Sequence, residues 1–518
     1  MKYEIKNGYI YVKNENLHIG EKYVLDMSGM KLDGKTNLWR GRDDGLKRIM
    51  LDIPLEDAKI NDVDKVTFKP LKPFQREDVK KMVETGCILN ANVMGLGKTL
   101  ETIVTLNMLG CNRVLIICPK SVKGTWKNEL QKWTNIPTHL INIIDGTPKQ
   151  VEKQLENLHV PYTIVNYERL RPTKTSNKKE TNKVLKAIRD IKWDAIVCDE
   201  AHRIKNAKAK QTKGIKSLKS DYRIALTGTP IQNKPNDLWS ILHWINPYYS
   251  GQSYWRFVEY FCETFDNGFG TQIAGLTKDP ERVEALGKLL SNIMIRREND
   301  DSMPRVINVP VNILMTSKQK KLYEKVKKEI LVELEGLDQT LFINSSLTRM
   351  LRLQQCTSNP ELLGIKTNPK FDYIVDILKD YDDKTVVFSK FKETIKALSK
   401  RLEKEKIKHV VLTGDTKDRQ EVINKFINDD DQKCFIATTG AAGEGIDGLQ
   451  YVSNRMIFID KEWSPAKNQQ AVGRLVRTGQ KNPVTVLSLN CENTIDEYVE
   501  KMLNKKIEDI IKILSSTD

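Results

Sequence analysis

A chain of 518 residues exceeds what one hydrophobic core supports and predicts about three domains. Hydrophobic residues at 39% and charged residues at 29% exclude a disordered polypeptide, and no apolar run approaches the ~18 residues a membrane-spanning helix needs. The 84 Lys and Arg against 68 Asp and Glu leave a net charge of +16. Because the excess is spread along the chain, it suits either an ordinary soluble surface or a face that binds a polyanion.

Residues 1–66 alternate polar and apolar positions and predict a small β-rich accessory domain. Asn7-Gly8 reads as a two-residue hairpin turn. Tyr9-Ile10-Tyr11-Val12 and Lys22-Tyr23-Val24-Leu25 read as short strands. No catalytic chemistry is evident here; the domain is either a packing module or a surface for DNA or a protein partner. The start of the chain, Met1-Lys2-Tyr3-Glu4, lacks an apolar signal core.

From Leu71 onward apolar strands alternate with helices, the mark of a parallel sheet covered on both faces. Strand candidates are 114–118, 162–165, 195–198 and 224–226, with a helix expected over 123–133. A second set follows at 386–388, 410–412, 434–437, 456–459 and 484–487. The fold class is α/β, with two parallel-sheet lobes in tandem over 67–239 and 369–490. Between them 240–368 is helix-rich, carries a Gly-bearing loop at 266–275, and is expected as an insertion and linker. A C-terminal segment, 491–518, repeats Ile495, Val499, Leu503, Ile507, Ile510, Ile511 and Leu514 at near-helical spacing. The eight cysteines include no C-x-x-C pair and the six histidines are scattered, so the reading is reduced thiols in an intracellular protein without a zinc knuckle.

The chemistry of the first sheet centres on Val93-Met94-Gly95-Leu96-Gly97-Lys98-Thr99, a glycine-rich turn running into a helix. Gly95 and Gly97 allow positive φ and close backbone approach to an anion, and the helix N-terminus adds partial positive charge. Lys98 is placed to reach β- and γ-phosphates and the Thr99 hydroxyl to hold Mg²⁺. The first glycine of the full phosphate-loop pattern is replaced by Asn92. Ile196-Val197-Cys198-Asp199-Glu200-Ala201-His202 is an apolar strand ending in two carboxylates, where ligand groups of open α/β sheets lie. Asp199 is the candidate for the Mg²⁺ shell and Glu200 for orienting or deprotonating the attacking water. Leu226-Thr227-Gly228-Thr229-Pro230 is a hydroxyl-bearing turn. Gln75, in Leu71-Lys72-Pro73-Phe74-Gln75, offers an amide suited to an adenine edge.

On the second sheet, Arg474 and Arg477 stand at i and i+3, on one face if helical. Arginine suits a transferring phosphoryl group because its planar fork stays ionised. Ala437-Thr438-Thr439-Gly440-Ala441-Ala442-Gly443-Glu444-Gly445-Ile446 is a strand-to-loop segment able to contact phosphate of either a nucleotide or a nucleic acid.

Taken in order, these motifs resemble the Swi/Snf-type ATPases of helicase superfamily two. The set includes Asp199-Glu200-Ala201-His202 with Ile204-Lys205-Asn206, Met294-Ile295-Arg296-Arg297, and Arg474 to Gln480 as Arg-x-x-Arg-x-Gly-Gln. The resemblance covers roughly 67–500 and implies two RecA-like lobes holding ATP with Mg²⁺. Gln75, Gly95, Gly97, Lys98, Thr99 and Asp199 come from the first lobe. Gly445 and the arginine fingers Arg474 and Arg477 come from the second, with Lys98, Glu200 and both arginines as the catalytic set. The resemblance also implies sequence-independent double-stranded DNA contacts at Lys120, Ser121, Asn166, Tyr167, Ser389, Lys390, Thr413, Gly414, Thr438 and Thr439.

The family's closing helix maps to 494–514, although a plain core helix would give the same stripe. Where the family usually has two acidic residues before the glycine loop stand Asn92 and Val93, and Asp447 stands where Asn is common. The stretch from Phe261-Cys262 to Arg297 is faintly similar to the annealing-helicase branch acting on forked or branched DNA in repair. The absence of appended domains resembles bacterial or bacteriophage members. The implied activity is a DNA-stimulated ATPase that translocates on the duplex. The rivals are a strand-separating DNA or RNA helicase and a nucleotide-dependent DNA-binding scaffold. The implied location is the cytoplasm of a bacterium or phage host, or the nucleus of a eukaryote.

Overall fold

A computed structural model describes residues 2–515 apart from 16, 18, 52, 54–70, 174–181, 233, 269, 299–302, 335–349, 417 and 443–445. The chain divides into two compact units. One comprises Met1–Val93, Gly97–Glu298 and Asp509–Asp518, the other Met94–Leu96 and Asn299–Glu508.

The first unit opens with a four-stranded antiparallel sheet, β1 (Tyr3–Lys6), β2 (Tyr9–Lys13), β3 (Lys31–Asp33) and β4 (Leu38–Arg42), in the order β1-β2-β4-β3. Lys6 pairs with Tyr9, and Asn7 and Gly8 both take positive φ, at 52° and 73°. Two such residues in a row match the right-handed strand twist, as the Asn-Gly pair predicts. The expectation of a strand at Lys22-Tyr23-Val24-Leu25 is corrected: these residues lie in the helix Ile19–Met27. Leu25 joins Ile10, Val12, Met30, Leu51 and Ile53 in a small core beneath the sheet. Four residues of mixed polarity do not separate a period of 2 from one of 3.6, and burial of Leu25 decided the outcome. Arg256, from the helix Tyr254–Phe261, donates to the Asp26 and Met27 carbonyls and anchors this module to the rest of the unit.

The main sheet of the first unit has seven strands: β5 (Cys87–Asn90), β6 (Val114–Cys118), β7 (Ile141–Ile143), β8 (Tyr162–Asn166), β9 (Lys192–Asp199), β10 (Lys219–Leu226) and, after a hairpin of β11 (Cys262–Asp266) and β12 (Thr271–Leu276), β13 (Met294–Ile295). Their order is β13-β5-β10-β9-β6-β8-β7, with every pairing parallel. Alternate residues of β6 feed two separate cores, Leu115 and Ile117 on one face and Val114, Ile116 and Cys118 on the other. That is why the strand reads as a continuous apolar run. The expected helix over 123–133 is Lys123–Thr134.

The second unit holds a six-stranded parallel sheet of β14 (Val306–Ile313), β15 (Thr385–Ser389), β16 (His409–Leu412), β17 (Cys434–Thr438), β18 (Arg455–Phe458) and β19 (Val484–Cys491), in the order β14-β19-β18-β15-β17-β16. Two tandem parallel-sheet lobes with a small β-rich N-terminal sheet are therefore the fold, as the sequence implied. The stretch 240–368 departs from the expected insertion. It supplies β13 to the edge of one sheet and β14 to the edge of the other, and 266–275 falls across the paired hairpin β11–β12. The C-terminal helix, Ile495–Ser515, packs Ile495, Val499 and Leu503 against Tyr323 and Cys356.

All eight cysteines are free thiols, Cys87 and Cys111 half-buried and the others buried. Among the described residues no helix is long and apolar enough to cross a membrane.

Candidate active site

The carboxyl edge of the first sheet is a single row. Asn90, Leu226 and Asp199 are register partners across β5, β10 and β9, and Ile295 of β13 pairs with Asn90. Four segments therefore leave the sheet side by side: the glycine loop after Asn90, the Thr227-Gly228-Thr229 turn, Glu200-Ala201-His202, and Arg296-Arg297.

Gly95 and Gly97 have φ of +88° and +91°, the left-handed region a side chain would strain. Gly97 caps the helix Lys98–Met108, and a Cβ there would collide with the Gln75 amide. Buried Gln75 thus lies against the loop, while its Oε1 accepts from the Lys72 backbone at 3.1 Å. Lys98 Nζ donates to the carbonyls of Asn92 and Val93 at 2.7 and 3.3 Å. Burial lowers its proton affinity, and the charges of Glu200, Asp199 and Glu101 oppose that. Thr99 is in the first turn of the same helix.

Asp199 ends β9, and its Oδ2 accepts from Trp126 Nε1 at 2.8 Å. Burial first, and then the neighbouring Glu200, raise its pKa, while Trp126 and Lys98 pull it back. Glu200 follows at φ +55°, an unusual conformation for a residue with a Cβ and one that recurs at functional sites. Its Oε2 lies 3.1 Å from His202 Nδ1, which is also 3.3 Å from the Thr227 hydroxyl. Arg296 Nη1 donates to the carbonyls of Ala91 and Gly228 at 2.7 and 2.8 Å, tying three of the four segments together.

Below the loop is a buried network that motif reading missed. Asn92 Nδ2 donates to Asp78 at 2.8 Å and to Glu101 at 3.4 Å, and Asn90 Nδ2 donates to Glu101 at 2.6 Å. Arg297 Nε holds the other Asp78 oxygen at 2.9 Å. Burial pushes Glu101 up to about 7. Trp126 was missed as well, since its bond to Asp199 joins residues 73 apart. The visible signals were the amides on both sides of Ala91 and a carboxylate in the first helical turn.

In the second unit Arg474 and Arg477 lie outside a helix, so the condition for a shared helical face is not met. The helix Pro465–Val472 ends before them at Gly473. Arg474 Nη1 donates to the Ile446 carbonyl at 3.0 Å, and Arg477 Nη1 pairs with Asp447 at 3.0 Å. Gly445 lies outside the described residues.

Of the residues expected to contact DNA, Lys120, Ser121 and Gly414 are exposed and Thr438 is half-buried. Lys390 is half-buried, with its amine on Gln354 Oε1 at 3.3 Å. The remaining positions are buried. Tyr167 is fully buried and donates to the Asp199 carbonyl at 2.7 Å. Ser389 donates to the buried Asp460 at 2.6 Å. Thr439 is buried, as are Asn166, which donates to Glu168 at 2.7 Å, and Thr413.

Residues 57–362 match the SNF2-related domain and 369–479 the Helicase conserved C-terminal domain. A probable chromatin-remodeling complex ATPase chain of Oryza sativa subsp. japonica is 28% identical over 80% of this chain and 38% of its own length. An uncharacterized ATP-dependent helicase of Mycoplasma genitalium is 27% identical over 97% of this chain and 47% of its own. An ISWI chromatin-remodeling complex ATPase of Saccharomyces cerevisiae is 26% identical over 84% and 40%. The chain thus spans under half the length of these relatives. The solved SWI2/SNF2 ATPase core of Sulfolobus solfataricus in complex with dsDNA is 28% identical, covering 89% of this chain and 96% of that one at a TM-score of 0.39. The SNF2-related match alone takes in more than half of the 518 residues, and the chain belongs to the SNF2-related family of helicase-like proteins.

Proposed function

We propose that the protein is an ATPase stimulated by DNA that translocates on the duplex, remodelling DNA structures or protein–DNA complexes. The observation that carries the reading is the row Asn90, Leu226, Asp199. It sends a phosphate-type loop and an Asp-Glu pair out of one sheet edge, the arrangement phosphoryl transfer needs. Membership of the SNF2-related family supports it. So do relatives whose names include chromatin-remodeling ATPases and DNA repair and recombination proteins, and so does the net charge of +16.

In this reading Lys98 and the loop amides bind the phosphates of ATP, and Gln75 belongs to the nucleotide end. The Thr99 hydroxyl and Asp199 carboxylate are hard oxygen donors of the kind Mg²⁺ takes together with nucleotide phosphates. Mg²⁺ would supply charge neutralisation at the phosphates. Glu200, beside His202, orients or deprotonates the attacking water. Arg474 and Arg477 act as fingers on the transferring group, and ATP-driven closure of the two lobes moves one of them along the backbone. Lys120, Ser121, Gly414 and Thr438 offer exposed or half-exposed contacts to phosphates. The working location is intracellular.

The test is ATP turnover with closed-circular duplex, single strand, fork and RNA, paired with triplex displacement and unwinding of a tailed duplex. Duplex stimulation with triplex displacement and little unwinding is expected. Efficient unwinding, or stimulation by single strand alone, would transfer the assignment to a strand-separating helicase, the reading the name of the Mycoplasma relative favours. Glu200→Gln should still bind ATP while turnover falls by about a hundredfold or more, the scale for losing a general base. Wild-type turnover in that variant would dismiss Glu200 from its role.

A further inference from the structure

The N-terminal sheet has one face on its own core and one open. Register places Lys6, Tyr9 and Arg42 side by side across β1, β2 and β4, and Glu4, Tyr11 and Arg40 in the next row on the same face. Lys31 extends the second row on β3. Ile10 and Val12, the alternate residues of β2, point the other way into the core. Lys6, Lys13, Lys31, Arg40 and Arg42 are exposed, and Tyr9 and Tyr11 half-buried. Among the described residues the acidic ones on this face of the sheet are Glu4 and Asp33, and Asp33 is taken up by the Lys35 amide and the Thr36 hydroxyl.

Three features specify a partner. First, the face is cationic without being a random lysine surface, because its charges flank two aromatic rings 6.4 Å apart. Second, the Arg40 guanidinium lies 3.9 Å over the Tyr9 ring and 5.8 Å from that of Tyr11. A flat cation stacked on an aromatic ring is itself a surface on which a base stacks. Third, a cavity of about 360 Å³ opens beside Tyr11, walled by Lys2, Lys6, Lys13 and Leu38 among others. That is within the range of small-ligand sites, with the ring on one side and three amines around it beside the Glu4 carboxylate.

We propose that this face is a second nucleic-acid site that takes an unpaired strand, stacking bases on Tyr11 and on the Arg40–Tyr9 pair while Lys6, Lys13 and Arg42 hold the phosphates. A duplex matches less well, since its base faces are already stacked on one another and only its phosphates would be used. An acidic peptide would satisfy the lysines but leave the rings without a planar partner. The site is separate from the duplex contacts proposed for the two large sheets, and it would bring single-stranded regions of branched DNA to the same chain.

The experiment uses the full chain without nucleotide. Binding of fluorescent oligo(dT), oligo(rU) and a blunt duplex is measured by anisotropy, and an iodouracil-bearing oligo(dT) is photo-crosslinked and its adducts mapped. Tyr11→Ala should weaken oligo(dT) by about tenfold, the scale of one lost base stack, and Tyr11→Phe should bind as wild type. Lys6→Glu with Lys13→Glu should weaken it further and flatten the salt dependence by more than one in slope, as expected for two lost phosphate contacts. Adducts should fall on 3–13. Comparable losses on oligo(rU) assign the site to unpaired strands of either sugar, and losses on oligo(dT) alone assign it to DNA.

The proposal is overturned if Tyr11→Ala binds as wild type, if duplex affinity falls as much as single-strand affinity, or if adducts map wholly elsewhere, which would leave the face to a protein partner. Duplex-stimulated ATP turnover should be unchanged in all these variants. A wild-type chain with no such turnover would refute the proposed motor and leave the binding result to stand by itself.

Discussion

Replacing Glu101 with glutamine should change how the stability of the first unit depends on pH. Glu101 is fully buried in the first turn after the glycine loop, where its Oε2 accepts from Asn90 and Asn92. Burial raises its pKa from 4.5 to about 7, with the amide of Asn90 opposing. Between those values the folded chain binds more protons than an opened one, so stability falls as pH rises through this window. The shift corresponds to roughly 3 kcal/mol at about 1.4 kcal/mol per pH unit. The substituted side chain never ionises, and its oxygen can keep the Asn90 bond. Its amide nitrogen would occupy the position of the Glu101 Oε1, which has no hydrogen-bond partner among the described residues, at a cost of about 1–3 kcal/mol that does not vary with pH.

The variant should therefore be the less stable at pH 5 and draw level or overtake at pH 8. Burial also raises the pKa of Asp78, and its charge helps to raise that of Glu101, so the pH dependence read in the comparison is that of the pair with Glu101 ionisable or not. Hydrogen exchange of the Lys98–Met108 helix, read as the difference between variant and wild type at matched pH, measures it locally. A gap that stays constant from pH 5 to 8 would refute ionisation of a buried Glu101.

Other substitutions probe separate parts of the site. Trp126→Phe removes the 2.8 Å bond to Asp199, a hydrogen bond to a charged group worth about 1.5–3 kcal/mol. It should raise the Mg²⁺ concentration needed for half-maximal turnover, and an unchanged Mg²⁺ titration would show that the bond does not set the carboxylate. Arg477→Ala removes the pair with Asp447 and should lower turnover while ATP affinity, measured with a fluorescent analogue, holds. A large affinity loss contradicts a finger role. Lys370→Met strips a buried amine that donates to the Ile459 carbonyl at 2.7 Å and to Asp496 at 2.8 Å. Leaving Asp496 uncompensated should cost about 3–5 kcal/mol, seen as faster proteolysis of the second unit, and adding Asp496→Asn should recover part of it.

The large sheets were legible because both faces are covered, so strands such as Val114–Cys118 are apolar without interruption. Strands with a polar or half-exposed pattern were not. Cys87–Asn90 is only four residues long and ends in an amide, and Val306–Ile313 sits at a sheet edge with most residues exposed. The carboxyl-edge motifs were legible because they combine particular residue types at short spacing, as the proposed phosphate binding would demand. What supports them was not, because Trp126, Arg296 and Asp78 reach Asp199, Ala91 and Asn92 through the fold rather than through sequence proximity. The Arg-x-x-Arg spacing matched a helix by number alone, and Gly473 ends that helix first. Tyr167 and Ser389 stood in motif positions, but a motif does not record which way a side chain turns, and both turn inward.

The departure at Asn92 has a physical account in the same network. Asp78 and Glu101 already place two carboxyl groups beneath the loop, and Asn92 Nδ2 donates to both. An acid at 92 would gather three carboxyl groups in a buried space where Arg297 is bonded to Asp78 and the Lys98 amine acts on Glu101. The mutual repulsion of three carboxylates would favour proton uptake there. The amide instead supplies a donor while its backbone carbonyl remains free to receive Lys98. Loop, helix and Arg297 are joined by hydrogen bonds at the point where the usual glycine is missing. The loop is held in place by buried polar pairing rather than by the pattern of the loop itself, which is what the proposed phosphate cradle would require.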